Sequence, residues 1–326
     1  MKLDKKDVQI LKLLSQNCRT PTGHIAKKIG MSRESTHYRI QRLVEKKVIT
    51  NFTISVDYQK LGFLHHIIFL SFQNAKDMDA LVKKIISHPL VGWTTLTPGK
   101  WNLIYDVFTQ DMSQLDQYLS DLKKQMFNLI NEFELTTQLE MDVFPSRYFS
   151  STQGKISKSK KKEIKIQLKE KDIEIIKILS YDARIDLRSI SKKINISFPT
   201  LKKRMTNLDN SGIIKNYTIH FDQDKIGIQR YYAQFNIYGN SLQEEKKFIA
   251  YIKSHPNVSS FVRPAVQTSI EVGIFAKNPL EFKKIMNEIR KVYGHVFEIE
   301  KIMLLYAEPR GNIIPPGLFP LLLEKL

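Results

Sequence analysis

The sequence predicts an α+β chain built by tandem duplication: two winged helix-turn-helix domains, each followed by a ferredoxin-like βαββαβ domain. Three observations predict it. Residues 3–62 match residues 168–227 at a constant offset of 165 without a gap. Twenty-two of those 60 positions are identical, among them Ser15/Ser180, Arg19/Arg184, Ser32/Ser197, Arg39/Arg204 and Thr53/Thr218. Each matched segment carries apolar residues at helical spacing, punctuated by turn signals. Past Gly62 and Gly227 the pattern changes to strand-length apolar runs alternating with amphipathic helical stretches.

In the first copy, residues 4–16 put Val8, Ile10, Leu11, Leu13 and Leu14 on one helical face, with Asp4 as N-cap. A short helix follows over 21–29, with Thr20 as cap and Pro21 at its first position, where a missing N–H costs nothing. Gly30-Met31 turns the chain, and Ser32 caps a third helix to about residue 46 with Thr36, Ile40 and Leu43 facing inward. Residues 48–54 read as a strand or wing. The sheet domain then reads as strand 64–73, helix 77–88, strands 91–97 and 102–109, helix 111–128 and strand 133–144, the order of a split βαβ fold. The second copy repeats it: strand 229–238, helix 241–254, strands 257–263 and 268–276, helix 279–292, strand 296–307. His88-Pro89 recurs as His255-Pro256, at an offset of 167. The domains expected are therefore 1–60 and 168–226 (winged helix-turn-helix), 61–149 and 227–312 (ferredoxin-like), a basic linker at 150–167 and an apolar, proline-broken tail at 313–326. The tail is expected to pack on its own domain or on a partner.

The net charge of +18 is unevenly spread. Residues 1–60 hold thirteen basic against five acidic side chains, and residues 151–167 hold six against one. Residues 61–150 are acidic, seven against ten. Basic modules flanking an acidic one suit a polyanion touched at particular places. No apolar run reaches the roughly 20 residues that span a bilayer, and the N-terminus lacks a signal-peptide pattern, so a cytoplasmic, nucleoid-associated protein is expected. Cys18 is the single cysteine; its counterpart is Ala183, so it is expected to pack as a small apolar residue. No Cys/His metal spacing, glycine-rich phosphate loop or nucleophile triad is present. The lysine-rich linker reads as a flexible spacer, about 23 Å in root-mean-square span and over about 50 Å extended, enough to set two DNA modules about 34 Å apart. Its lysines are also candidates for following a phosphate backbone.

In a helix-turn-helix the second helix enters the major groove of double-stranded DNA. The candidate reading residues are Ser32, Arg33, Glu34, Ser35, His37, Tyr38, Arg39, Gln41 and Arg42 in the first copy. In the second they are Ser197, Thr200, Lys202, Lys203, Arg204 and Asn207, with Phe198, Pro199 and Thr206 beside them. Arg pairs with guanine, Asn or Gln with adenine and Glu with the cytosine amino group. Arg39 and Arg204 fit either a phosphate clamp or an ion pair with Asp7 and Asp172. Ser32 and Ser197 need only cap their helices. The two outward sets share none of the exposed reading residues, so the chain either reads an asymmetric site, one half per copy, or has one copy that has drifted from binding.

The pattern Leu3-Asp4, Asp7, Ile10-Leu11, Leu14, Asn17, Arg19, Ile25-Ala26, Gly30, Ser32, Arg39-Ile40, Leu43, Val48-Ile49, Thr53, Asp57, Leu61-Gly62 resembles the leucine-responsive and asparagine-type (Lrp/AsnC) transcriptional regulators. The resemblance covers residues 3–145 and 168–307. It implies a sequence-specific DNA-binding regulator that needs no metal or redox cofactor, with sheet domains that pair. With two such domains on one chain, that implies an intrachain pseudo-dimer, with further homo-oligomers as the alternative. It also implies a small-molecule, amino-acid-like effector near Gly99, Trp101 and Asn102. Here the sequence departs from the family, with asparagine where an aspartate is usual and no matching glycine in the second copy. Two other classes remain: a DNA-packaging protein without sequence preference, and an enzyme similar to the siroheme decarboxylases, of which Trp101-Asn102-Leu103 echoes one piece. His65-His66 become Arg230-Tyr231 in the second copy and read as local surface or packing residues.

Overall fold

The computed structural model describes residues 3–72, 78–126, 129–144, 147–149, 166–238, 241–265, 269–311 and 314–326. The expected linker lies outside the described residues apart from 166 and 167. The first copy runs α1 (Lys5–Gln16), α2 (Thr22–Ile29), α3 (Arg33–Glu45), β1 (Ile49–Val56), β2 (Leu64–Phe72), α4 (Met78–Ser87), β3 (Val91–Leu96), β4 (Leu103–Thr109), α5 (Met112–Met126) and β5 (Ile130–Val143), then a 3-10 turn at Arg147–Phe149. The second runs α6 (Glu170–Tyr181), α7 (Leu187–Lys193), α8 (Phe198–Asn210), β6 (Ile214–Phe221), α9 (Gln223–Ile226), β7 (Gln229–Ile237), α10 (Leu242–Ser254), β8 (Val258–Pro264), β9 (Ser269–Ala276), α11 (Pro279–Tyr293), β10 (Phe297–Leu305), β11 (Ala307–Arg310) and α12 (Leu318–Glu324). Both helix-turn-helix plus βαββαβ units are present in the predicted order.

Local chemistry explains most boundaries. Asp4 and Asp7 close a capping box at α1, the Asp4 carboxylate accepting from Asp7 N at 2.8 Å and Asp7 accepting from Asp4 N at 3.3 Å. Helix α2 begins at Thr22 with Pro21 as its N-cap, one residue later than expected, and the Thr20 hydroxyl donates to Asn17 O instead of capping it. Val8 is 36% exposed, off the buried face of α1. Two turns need a left-handed residue. Gly30 (φ 64) and its counterpart Asn195 (φ 52) make the helix-turn-helix turn. Lys47 (φ 54) and its counterpart Gly212 (φ 71) make the turn before the wing. Only one copy at each position uses glycine.

The wings do not stand alone. Strands β1 and β6 pair antiparallel, and the register sets Thr53 opposite Thr218, Phe52 opposite Ile219 and Ile54 opposite Tyr217. Thr218 is the duplicate of Thr53, so a pseudo-two-fold axis passes between them. Hydrogen bonds repeat across it. The Thr53 hydroxyl donates to Ser180 O at 2.9 Å, and the Thr218 hydroxyl to Ser15 O at 3.0 Å. Cys18 N donates to Tyr217 O at 3.0 Å and Ala183 N to Phe52 O at 2.9 Å. Arg19 Nη1 donates to Ala183 O and Arg184 Nη1 to Cys18 O, each at 2.5 Å, and the two guanidinium groups lie over Tyr217 and Phe52. The small size asked of position 18 follows: the Cys18 side chain is fully buried in this seam, and burial pushes its thiol up to about 12.

The remaining strands form one antiparallel sheet of nine, in the order β10-β7-β9-β8-β5-β2-β4-β3-β11. Each copy's last strand is shared between copies. The first half of β5 pairs with β2 and its second half, Gln138–Val143, with β8 of the other copy. Likewise β10 pairs with β7, and β11 crosses to β3. The sequence predicts this last strand as unbroken over 296–307. In the structure it breaks at Tyr306, whose N–H donates to Leu96 O of the first copy. Because β10 and β11 are the two edges of the sheet and one residue joins them, the sheet must curl until its edges meet. Helices α4, α5, α10 and α11 cover the outside with buried faces such as Leu81/Val82/Ile85 and Phe282/Ile285/Met286/Ile289. Inside, Phe69 and Trp101 of the first copy meet Tyr232, Val262, Met303 and Leu305 of the second.

The tail lies between the copies. Gly317 N donates to Pro89 O at 3.0 Å and Lys325 Nζ to Gly62 O at 2.9 Å, both in the first copy, while α12 also packs on α6 of its own copy, with Lys177 Nζ 5.8 Å from the Phe319 ring centroid, and Leu318, Phe319 and Leu322 are buried in the core that both share. Its counterpart in the first copy reaches over in the same way, Arg147 Nη1 donating to His255 O at 3.4 Å. The repeated His-Pro pair thus seats the end of the other copy.

The seam can be tested through its arginines. Arg184→Ala leaves the buried carbonyl of Cys18 without its donor, and about 1–3 kcal/mol of unfolding free energy is expected to be lost, read as a lower urea midpoint.

Candidate nucleic-acid interface

Helix α3 buries Thr36, Ile40 and Leu43, and α8 buries Leu201, Met205 and Leu208 at the same offsets. That one-sided stripe anchors each helix to its own bundle and leaves the opposite face free. The caps are equivalent: Ser32 Oγ accepts from Ser35 N at 3.1 Å, Ser197 Oγ from Thr200 N at 3.3 Å. Both serines are exposed at the helix start.

The predicted residues divide into two groups. Arg33, Glu34, Ser35, His37, Tyr38 and Gln41 are exposed on α3, Tyr38 at 65%, and none is held by an ion pair among the described residues. Thr200, Lys202, Lys203 and Asn207 are exposed on α8, with Lys202 Nζ lying 4.8 Å from the Phe198 ring centroid. The other group turns inward. Arg39 Nη1 reaches Asp4 at 2.7 Å and Asp7 at 2.8 Å; Arg42 Nη2 reaches Asp7 at 2.8 Å; Arg204 Nη1 reaches Asp172 at 2.9 Å. Of the two roles open for Arg39 and Arg204, the structure supplies the ion pair that ties the reading helix to the first helix. The Asp7 amide and the Arg39 guanidinium hold the Asp4 carboxyl below its usual range. Position 42 becomes Asn207 in the second copy, so Asp172 holds one arginine where Asp7 holds two.

Sequence reasoning passed over one pair. Lys27 and Lys28, duplicated as Lys192 and Lys193, are exposed at the ends of α2 and α7, beside the turn into each reading helix. An exposed identity between copies, where most exposed positions differ, was the signal that could have found them.

The expected effector segment is structurally occupied. Gly99 has φ 118, Asn102 Oδ1 accepts from Phe72 N at 2.8 Å while its amide donates to Gly99 O at 3.3 Å, and Trp101 is 6% exposed against Phe69. Asn102 therefore clips its own loop. His65 and His66 are buried, not surface residues: His66 bonds Thr137 and Thr109 at 2.9 Å each, and His65 stacks on Phe108 at 4.5 Å. Burial pushes His66 down to about 4. Among the described residues no group of three or more His, Cys, Asp and Glu is placed to hold a metal ion, and no helix is long and apolar enough to cross a membrane.

The two anchors predict losses of similar size. Asp7→Ala frees Arg42 and the Asp4 amide but leaves Arg39 with Asp4, and Asp172→Ala frees Arg204 and the Lys169 amide, so each is expected to cost about 1–3 kcal/mol of stability, read by chemical denaturation.

Comparison with known proteins follows the same division of the chain. The model of the AsnC-type helix-turn-helix domain matches residues 3–44, and that of the winged helix-turn-helix DNA-binding domain matches residues 168–215. Regulatory protein AsnC of Haemophilus influenzae is 28% identical over 138 residues, which cover 42% of this chain and 89% of that protein. The HTH-type transcriptional regulator LrpC of Bacillus subtilis is 32% identical over 100 residues, 31% of this chain and 68% of that protein. Among solved structures, the siroheme decarboxylase NirDL superposes with a TM-score of 0.63, covering 98% of this chain and 99% of its own at 13% identity, a likeness of fold.

Proposed function

The chain belongs to the Lrp/AsnC family of helix-turn-helix transcriptional regulators, carrying the family's unit twice, and from that premise we propose that one polypeptide reads an asymmetric operator, one half-site per copy. The observation behind this reading is the contrast between the two sides of each DNA module. Residues facing the seam repeat across the pseudo-two-fold axis, Ser15/Ser180, Arg19/Arg184 and Thr53/Thr218, whereas those on the exposed face of α3 and α8 do not. In a homodimer the two reading helices are identical and a palindrome is the matching site. Here covalent duplication frees each helix to take its own bases. Arg33, Gln41 and Glu34 suit guanine, adenine and cytosine edges in one half-site; Asn207 suits adenine, and Lys202 and Lys203 suit guanine or phosphate, in the other. The repeated Lys27/Lys28 and Lys192/Lys193 suit phosphates in both, fixing position without reading sequence. The pairing of β5 with β8 and of β11 with β3 makes the single chain its own dimer in this reading.

Selection from random duplex DNA tests it. A bipartite motif with unequal halves is expected. Arg33→Ala is expected to relax one half by about 1–3 kcal/mol at a single base pair, and Lys202→Ala/Lys203→Ala to weaken the other. Replacing one phosphate-neutralising lysine, as in Lys27→Ala, is expected to make the slope of log affinity against log salt shallower by about 0.9. Two identical inverted half-sites, or protection of one half alone, defeat the asymmetric reading. Binding without enrichment indicates packaging. A second reading, an enzyme of the siroheme-decarboxylase kind, has the whole-chain likeness of fold behind it; tetrapyrrole absorbance retained by the purified chain, with loss of carboxyl groups from the pigment, would establish it.

A further inference from the structure

The curled sheet forms one wall of a half-open cavity of about 930 Å³ between the two copies, bounded by the inner strands and by the β1–β6 ribbon. Pockets of this order hold small organic ligands. Among the described residues, ten buried side-chain nitrogen or oxygen atoms lack a hydrogen-bond partner, and eight of them belong to residues lining this one cavity; two of the eight, His65 Nε2 and Asp106 Oδ1, face each other at 3.3 Å. Buried polar groups are otherwise almost always paired, so their concentration here marks a surface built to receive polar groups. The acceptors are Glu271 Oε2, Asp106 Oδ1 and Gln138 Oε1; Trp93 Nε1 and Arg230 Nε are donors.

The charge of the lining selects among ligands. Eight carboxyl side chains and two permanent cations, Lys215 and Arg230, line the cavity; five of the eight are held in ion pairs, Glu140 and Asp142 by Lys253, Asp222 by Lys225, Asp57 by Lys215 and Glu308 by Arg230, which leaves Asp106, Asp224 and Glu271 without a permanent cation among the described residues. Both cations are already engaged, Arg230 with Glu308 at 2.9 Å and Lys215 with Asp57 at 3.8 Å. Asp106 Oδ1 faces only the His65 ring, 3.3 Å away, and Glu271, 2% exposed, has no cation within ion-pair distance among the described residues. A polycarboxylate would meet repulsion here. We propose that the cavity binds a small organic cation, an amine whose ammonium group is taken by Glu271 and Asp106 while its carbon frame lies against Trp93, Ile67, Ile104 and Tyr232. The lining also includes Ile54, Ser55 and Val56 of β1 and residues 218–221 of β6, so the occupant touches the ribbon that holds both DNA modules.

Glu271 carries the cost of its burial in a readable way. Removal from water pushes its carboxyl up to about 8; Lys301 on β10 opposes the rise, and Glu134 on β5 and Asp106 on β4 add to it, with the Tyr232 hydroxyl on β7 beside it. The folded protein holds this proton from about pH 4.5, where the unfolded chain loses it, to about pH 8, so below pH 8 an arriving ammonium group must displace it, and amine binding is expected to release a proton and to tighten as pH rises toward 8. Stability is therefore given up as pH rises through that window. Glu271→Gln is expected to raise the melting temperature, by more at pH 8 than at pH 5. The same variant should lose amine binding, an opposition that a merely structural carboxyl would not show.

The proposal goes beyond DNA recognition and is tested without DNA. The full chain is titrated calorimetrically with butylamine, 1,4-diaminobutane and phenethylamine, with the matching alcohols and carboxylates, and with uroporphyrin. At least one amine is expected to bind at least tenfold more tightly than its alcohol, and Asp106→Asn and Glu271→Gln are each expected to weaken it at least tenfold. Failure of all three amines, equal binding of an alcohol, undiminished binding by both variants, or binding of a carboxylate or uroporphyrin in place of the amines would overturn it.

Discussion

Everything in this molecule is arranged about the antiparallel pairing of β1 with β6. A strand that pairs antiparallel with its own duplicate, residue 53 against residue 218, generates a two-fold axis at the point where they meet. That axis then fixes where every other duplicated element must lie. The pairing is secured by groups that cannot be satisfied within one copy: the carbonyls of Cys18 and Ala183 take their donors from Arg184 and Arg19, and the amides of the same two residues donate across the seam. Buried backbone groups without partners are costly, so each copy depends on the other for the integrity of the loop between its first two helices. This explains why identities concentrate at Ser15, Arg19, Thr53 and their duplicates, while the exposed faces of α3 and α8 diverge.

The sheet obeys the same symmetry by a different device. The last strand of each copy begins in its own sheet and ends in the other's, so neither four-stranded sheet has a free outer edge at that side. Exposed edges invite pairing with other chains, and curling the sheet until its edges meet removes them. The consequence is a half-open interior between copies. Its apolar part is filled by Phe69, Trp101, Tyr232 and their neighbours; its polar part is open, with acceptors outnumbering cations. The ribbon forms one wall of that interior, so the DNA modules and that space share a boundary.

Much of this was legible in the residues because duplication is itself a measurement. A gapless offset of 165 identified the unit, local signals such as Asp4, Ser32 and Gly30 placed helix ends, and the change of apolar period at Gly62 marked the passage from bundle to sheet. Those are short-range effects, decided within a few residues of chain. The left-handed turns show the limit: Gly30 announces one, but Asn195 and Lys47 take the same conformation with no glycine to mark it.

What the sequence by itself determined, then, is the identity and order of the elements, and the family to which the unit belongs, since capping, amphipathic spacing and turn chemistry act locally. The tertiary structure decided which elements meet. That Arg39 and Arg42 turn to Asp7, that the chain breaks at Tyr306 to send β11 across to β3, and that α12 reaches Pro89 and Gly62 of the first copy could not be read along the chain. Each depends on partners about 30 to more than 200 residues away. The same holds for the cavity: Asp106 and Glu271 are ordinary carboxylates in sequence, and only the curled sheet buries both of them along one half-open space.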